Sequence, residues 1–214
     1  MANICETTIA FFATTEKYTD KLVDFYNKLT DLKKSKERFP IYFNSIYIAE
    51  QFGIDTKHIE WSCIQDISDI EAHGTYRGFK VYQDDKWSPN LRFWDLIIER
   101  EYTTDDSERM IDYVYEAEEP GCEIYINTDV DGEFFCDLYK VDAYLPKDLF
   151  CGEVMTEYFS STEDLLDALK MLIGKVINFD ESDDVKLENL INDYLQKRYP
   201  NRDYYLSIHE FEEE

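Results

Sequence analysis

An extended apolar run followed at once by a helical stripe sets the tightest limit on how this chain folds. Residues 4–13, ICETTIAFFA, have the β-branched and aromatic content of a strand. Tyr18, Leu22, Phe25, Leu29 and Leu32 then recur at steps of four and three. That spacing lines them along one face of a helix of about five turns. Thr14 or Thr15 stands where a cap is needed, and Lys33, Lys34, Lys36 and Arg38 suit the helix C-terminus. A helix with one apolar stripe buries it against another layer, and the strand before it points to a sheet as that layer.

The remaining pattern supplies that sheet. Residues 44–52 read as a short helix ended by Gly53, and 59–67 and 75–83 as strands around a turn at Gly74. Ser88-Pro89 reads as a helix start, with Ser88 as N-cap and Pro89 at the first helical position. Leu91, Trp94, Ile97 and Ile98 follow on the inner side of that helix. Strands over 110–118, 122–128 and 133–144 come next, with turns at Pro120-Gly121 and Asp131-Gly132. The order strand, helix, strand, strand, helix, strand predicts an α+β chain. It matches a ferredoxin-like split βαβ sandwich, with helices on one face of an antiparallel sheet.

Pro146 and Gly152 mark a change of character. A strand over 153–159 is expected after them, then a helix capped by Ser161 with Leu165, Leu169, Leu172 and Val176 at helical spacing. A second helix over 185–198 turns Leu187, Leu190, Ile191 and Tyr194 inward, and an edge strand closes the chain. The expected organisation is a domain over 1–145 and a small α-rich C-terminal extension over 146–214 packed on it.

Charge bears on function more than on fold. The net charge is −25, and residues 101–214 carry 31 acidic and 9 basic side chains, a net of −22. Such a surface repels phosphate backbones and anionic lipid headgroups, so direct nucleic-acid and membrane binding are disfavoured. A basic protein is the favoured partner. Aromatic residues make up 16%, enough for a real core and unlike a disordered acidic tail. Cys5, Cys63, Cys122, Cys136 and Cys151 form no CxxC, and the first residues lack the basic and apolar regions of a signal peptide. A cytoplasmic protein with reduced thiols is expected.

Three stretches resemble one family. The opening MANICETTIAFF is similar to the Met-x-Asn-x-Cys start of the Api92-like (YubB-type) ferredoxin-like proteins of phages and mobile elements. KWSPNLRFWDLI (86–97) resembles that family's Trp-Ser-Pro helix entry, and YEAEEPGCEIYINTDVDGEFF (115–135) its acidic Glu-Pro-Gly hairpin. The resemblance covers roughly residues 1–145 and implies a fold and a mobile-element setting in a bacterial host. It brings no catalytic residues. The residue types themselves assign Trp87 to packing beside the Ser88-Pro89 cap and Gly121 to a tight turn.

No catalytic or metal constellation emerges from the sequence. His58, His73 and His209 lack metal-ligand spacing, and no cofactor is expected. Cys122 and Cys136 read as small buried strand residues. Asp129-Val130-Asp131-Gly132-Glu133 resembles a calcium loop, but its twelfth position is Lys140, so a hairpin turn fits better. No phosphate loop, nucleophile elbow or HExxH helix occurs.

The acidic clusters are the positive signal. Asp112, Glu116, Glu118, Glu119 and Glu123 gather at one hairpin, Asp129, Asp131 and Glu133 at the next turn, and Asp180, Glu181, Asp183 and Asp184 between the last helices. Uncompensated carboxylates at this density repel one another, and a basic partner would relieve that. These residues are the expected partner-binding set. The expected function is non-enzymatic inhibition of a host defence system, of the anti-CRISPR or anti-restriction kind. The target would be a basic nucleic-acid-handling nuclease or effector, with nucleic-acid mimicry as one mode. An acidic scaffold without mimicry and a small enzyme with a site assembled from distant residues are the alternatives.

Overall fold

Strand alternation decides which side chains of β1 (Ile4–Ala13) meet the helices. The computed structural model describes residues 3–36, 43–147, 154–173 and 184–213; Arg38, Cys151, Gly152, Val176, Asp180, Glu181, Asp183 and Glu214 lie outside them. Cys5, Ile9, Phe11 and Ala13 point into the core, where α1 (Thr19–Ser35) brings Leu22, Phe25 and Leu29. Phe25 meets Phe11 edge-on at 5.2 Å. The expected threonine cap does not form. Thr14 Oγ1 donates instead to Arg109 O at 2.8 Å, and a short 3-10 turn over Glu16–Tyr18 leads into α1.

The next elements follow the apolar pattern closely. α2 (Ser45–Gln51) is capped by Asn44, whose side chain accepts from Tyr47 N at 2.9 Å. Gly53 ends that helix region at a φ of 66°, a left-handed conformation that costs glycine little. β2 (Cys63–Ile67), a short unanticipated β3 (Glu71–His73) and β4 (Tyr76–Lys86) come next. α3 (Arg92–Glu101) then buries Phe93, Trp94, Ile97 and Ile98, and β5 (Ile111–Glu119) and β6 (Ile124–Asn127) complete the sheet. The strands lie in the order β2-β4-β1-β5-β6, with β3 on β4, and every pair is antiparallel. Buried Tyr18 and Tyr102 and half-buried Tyr113 hand their hydroxyls to carboxylates: Tyr18 to Glu108 at 2.9 Å, Tyr102 to Asp24 at 3.1 Å and Tyr113 to Asp95 at 3.1 Å.

The entry to α3 corrects the sequence reading. The helix begins at Arg92 behind Leu91, so Ser88 is not its cap and Pro89 is not in its first turn. The reason lies one strand back. Asp85 is 2% exposed, and its carboxylate accepts from Thr7 Oγ1 at 2.7 Å, Gln83 Nε2 at 2.8 Å and Asn90 N at 3.1 Å, with Ser62 also donating. Asn90 Nδ2 in turn donates to Glu60 O at 2.7 Å and Ser62 Oγ at 2.8 Å, and Trp94 Nε1 donates to Gln83 Oε1 at 2.9 Å. The loop is held by a core carboxylate rather than by a local cap.

A second compact unit starts at Cys136 and runs to Glu212. The boundary therefore falls after Phe135 rather than after 145, because β7 (Tyr139–Tyr144) pairs with β8 (Val154–Phe159) and β9 (Tyr205–Glu210) in a sheet of its own. α4 (Thr162–Ile173) and α5 (Asp184–Arg198) pack Leu165, Leu169, Leu187, Ile191 and Leu195 against Val141, Ala143 and Leu206. Ser161 Oγ caps α4 by accepting from Asp164 N at 3.1 Å. Leu190, expected inward, is exposed. Asn192 Oδ1 accepts from Leu206 N at 2.9 Å and Glu188 Oε2 from Ile208 N at 2.9 Å, so α5 covers backbone donors of an edge strand. Among the described residues, no helix is long and apolar enough to cross a membrane.

Two outcomes test the Asp85 clasp. Asp85→Ala should lower stability by about 3 kcal/mol in chemical denaturation, because several buried donors lose their acceptor. Burial raises the Asp85 pKa above the ordinary carboxylate value despite its donors. Ionisation therefore opposes folding: the cost is absent below the unfolded-state pKa and complete above the folded-state one. Wild-type stability minus that of Asp85→Asn should accordingly fall as pH rises through that window and then level off. A difference that grows with pH would contradict the assignment.

Candidate functional site: an acidic sheet face

The helices cover only one side of the first sheet. On the other side β1 presents Ile4, Glu6, Thr8, Ala10 and Phe12. Part of this side is roofed by the chain after β6. Phe134 and Phe135 pack over Ala10, Phe12, Tyr76 and Val114, with Phe134 stacked on Phe12 at 5.4 Å. Lys80 Nζ donates to Phe134 O at 2.8 Å beneath that roof. The rows beyond the roof are polar.

Register sets what lies there. Asp84 on β4 pairs with Glu6 on β1, and Glu6 pairs with Glu118 on β5. Three carboxylates thus occupy neighbouring positions of one transverse row, with strands about 4.8 Å apart. The next row holds Asp66, Tyr82, Thr8 and Glu116. Like charges directly opposite one another destabilise a sheet. Asp84 is met by the Gln65 amide, and Asp66 by Lys33 of α1. Cys63, opposite Asp84, shows the local field: burial pushes its thiol pKa up, and the Asp84 charge pushes it further.

Exposed aromatic side chains lie at the same end. Tyr82 sits within the second row. Trp61 is 45% exposed, two residues before Cys63, and Trp87 is 47% exposed just beyond β4. Trp87 was expected to pack beside a helix cap. It instead takes a left-handed φ of 73°, which costs a side chain of this kind about 1–2 kcal/mol. The Asp85 clasp fixes Asn90 three residues later, and Trp87 N donates to Asn3 O at 3.4 Å.

The expected partner-binding residues separate into distinct roles. Glu116 and Glu118 belong to the acidic rows and are half-buried. Glu123 and Asp131 are exposed at turns, Glu123 with a left-handed φ of 57°. Glu133 lies against Gly74, whose hydrogen leaves room for its carboxylate. Asp112 accepts from Arg109 Nη1 at 2.9 Å, and Arg109 also bonds Asp95 at 3.1 Å. Burial opposes the charge of Arg109, yet these two carboxylates raise its pKa overall.

Two residues of that set are structural anchors and present no surface charge. Glu119 is 3% exposed and caps the turn Pro120–Cys122 by accepting from Cys122 N. Asp129 is 8% exposed, and its Oδ2 accepts from Phe134 N at 2.5 Å and Phe135 N at 2.9 Å. It therefore holds the aromatic roof. Asp184 opens α5 in the second unit. Cys122 and Cys136 are exposed free thiols outside the strands, not buried strand residues.

Glu6, Asp66, Asp84 and Trp61 were missed. Glu6 and Asp84 sit in the half of the chain with little net charge, where α1 lysines mask them in any count. The available signal was alternation: Ile4, Glu6, Thr8 and Tyr82, Asp84, Lys86 fall on every second position of strands whose other positions are apolar or core polar. Among the described residues, no group of three or more His, Cys, Asp or Glu side chains could hold a metal ion. No family model, curated protein or solved structure matches the chain.

The row makes a direct stability prediction. Glu6→Lys places a cation between Asp84 and Glu118 and should stabilise the protein by about 0.5 kcal/mol at low ionic strength. The gain should shrink in concentrated salt when the same denaturation curves are repeated.

Proposed function

We propose that the chain is a binding protein whose acidic sheet face engages a basic, nucleic-acid-handling protein. The observation that carries this is the row Asp84, Glu6, Glu118, backed by Glu116 in the next row. Contiguous carboxylates at cross-strand distance work against the fold, and a cationic partner relieves them on binding. Complementary charge of this kind accelerates encounter and sets specificity.

The strand order supports the ferredoxin-like reading: β2 and β1 both run antiparallel to β4 between them, and β5 antiparallel to β1. The Api92-like resemblance implies a phage or mobile-element setting for such a domain. On that basis the partner is a host defence nuclease or effector in the bacterial cytoplasm, and binding inhibits it without catalysis. Carboxylates standing where phosphates would stand are the mode we favour.

The test is an affinity column of the protein loaded with host lysate at low salt, beside a column of the Glu6→Lys, Asp84→Lys, Glu118→Lys variant. The wild type should retain basic nucleic-acid-binding proteins that elute as salt rises, and the variant should not. A retained nuclease should slow when excess protein is added at low salt. A nuclease running at full rate under those conditions would remove the inhibitory role.

A further inference from the structure

We infer that Trp61 and Trp87 are the anchoring contacts of the acidic face, and that its occupant is an arginine-bearing segment of the basic partner. The inference rests on the basic-partner reading above. Carboxylates alone attract any cation and choose poorly among them. Indole rings add a preference for guanidinium, whose flat, weakly hydrated cation stacks on aromatic faces. The chain contains three tryptophans, and only Trp94 is fully buried.

The chain beside both exposed tryptophans is held by one device. Asn90 bonds Glu60 O and Ser62 Oγ, which flank Trp61, while its own backbone N–H is fixed by Asp85 three residues after Trp87. Cys63 pairs with Asp84, so the segments bearing both indoles leave the sheet at the same end of β2 and β4. Trp61 stands two residues before Cys63, the residue opposite Asp84 of the acidic row, and is 45% exposed. Trp87 keeps its left-handed backbone although glycine would occupy that position without strain. An exposed tryptophan beside complementary charge has the make-up of an interface hot spot.

The experiment titrates the full chain with a peptide of alternating arginine and glycine, followed by tryptophan fluorescence and by calorimetry at two salt concentrations. The expected result is a blue shift on binding and a preference for this peptide over its lysine counterpart. Trp61→Ala combined with Trp87→Gly should weaken binding about tenfold with an unchanged salt slope. Glycine suits the φ at 87, and emission from Trp94 with thermal melting checks that the variant is folded. Affinity within twofold of wild type, no fluorescence change, or no preference for arginine would overturn the inference. The variant carrying Glu6→Lys, Asp84→Lys and Glu118→Lys separates the two claims. If it binds the peptide as the wild type does, the basic-partner reading fails; if only the tryptophan variant behaves as wild type, the inference alone fails.

Discussion

One buried carboxylate organises the end of the first unit that carries the candidate site. Asp85 has almost no contact with water, so each of its lone pairs needs a donor from the protein. Those donors come from β1 through Thr7, from β4 through Gln83, from the segment before β2 through Ser62 and from the loop before α3 through Asn90. The chain around residues 7, 62 and 83–90 is thereby fixed at one point. Apolar replacement of the whole cluster could keep the core packed, but it would not specify where the loop 86–90 goes.

The position of that loop determines what the surface offers. With Asn90 clamped, Trp87 is left exposed in a strained conformation, and Trp61 is held by the bonds on either side of it. Beside them the sheet register lines up Asp84, Glu6 and Glu118. Each feature is unfavourable for an isolated domain: strain at one residue, exposed indoles at two, and repulsion along a row. Their occurrence together at one end of one sheet is the physical reason for proposing that binding takes place there. The other half of the same face is closed by Phe134 and Phe135, whose backbone is tied down by Asp129.

Much of the fold was legible because apolar periodicity is a local property. The stripe of Leu22, Phe25 and Leu29, the inner face of Trp94, Ile97 and Ile98, and the Ser161 cap all appear where spacing places them. The α3 entry was misread because Ser88-Pro89 has the form of a local cap, while the winning interaction comes from Asp85. The 133–144 strand was misassigned because its sequence does not say that 139–144 pairs in a different sheet. The acidic site was only half legible. Clusters along the chain pointed to turns, where Glu119 and Asp129 proved to be buried anchors, whereas the carboxylate row is assembled across three strands by register. A linear count of charge cannot see neighbours that lie about 80 or 110 residues apart.

The central claim is that the open rows of the first sheet, and not the acidic turns or the C-terminal tip, receive a basic partner. Backbone amide NMR of the labelled protein titrated with the arginine-glycine peptide tests it most directly, since it reads every described strand at once. The account expects shifts concentrated at Glu6, Thr8, Tyr82, Asp84, Glu116 and Glu118, with Trp61 and Trp87 at their rim. Shifts spread over Glu123, Asp131 and the residues after Glu210, with the sheet unmoved, would contradict it.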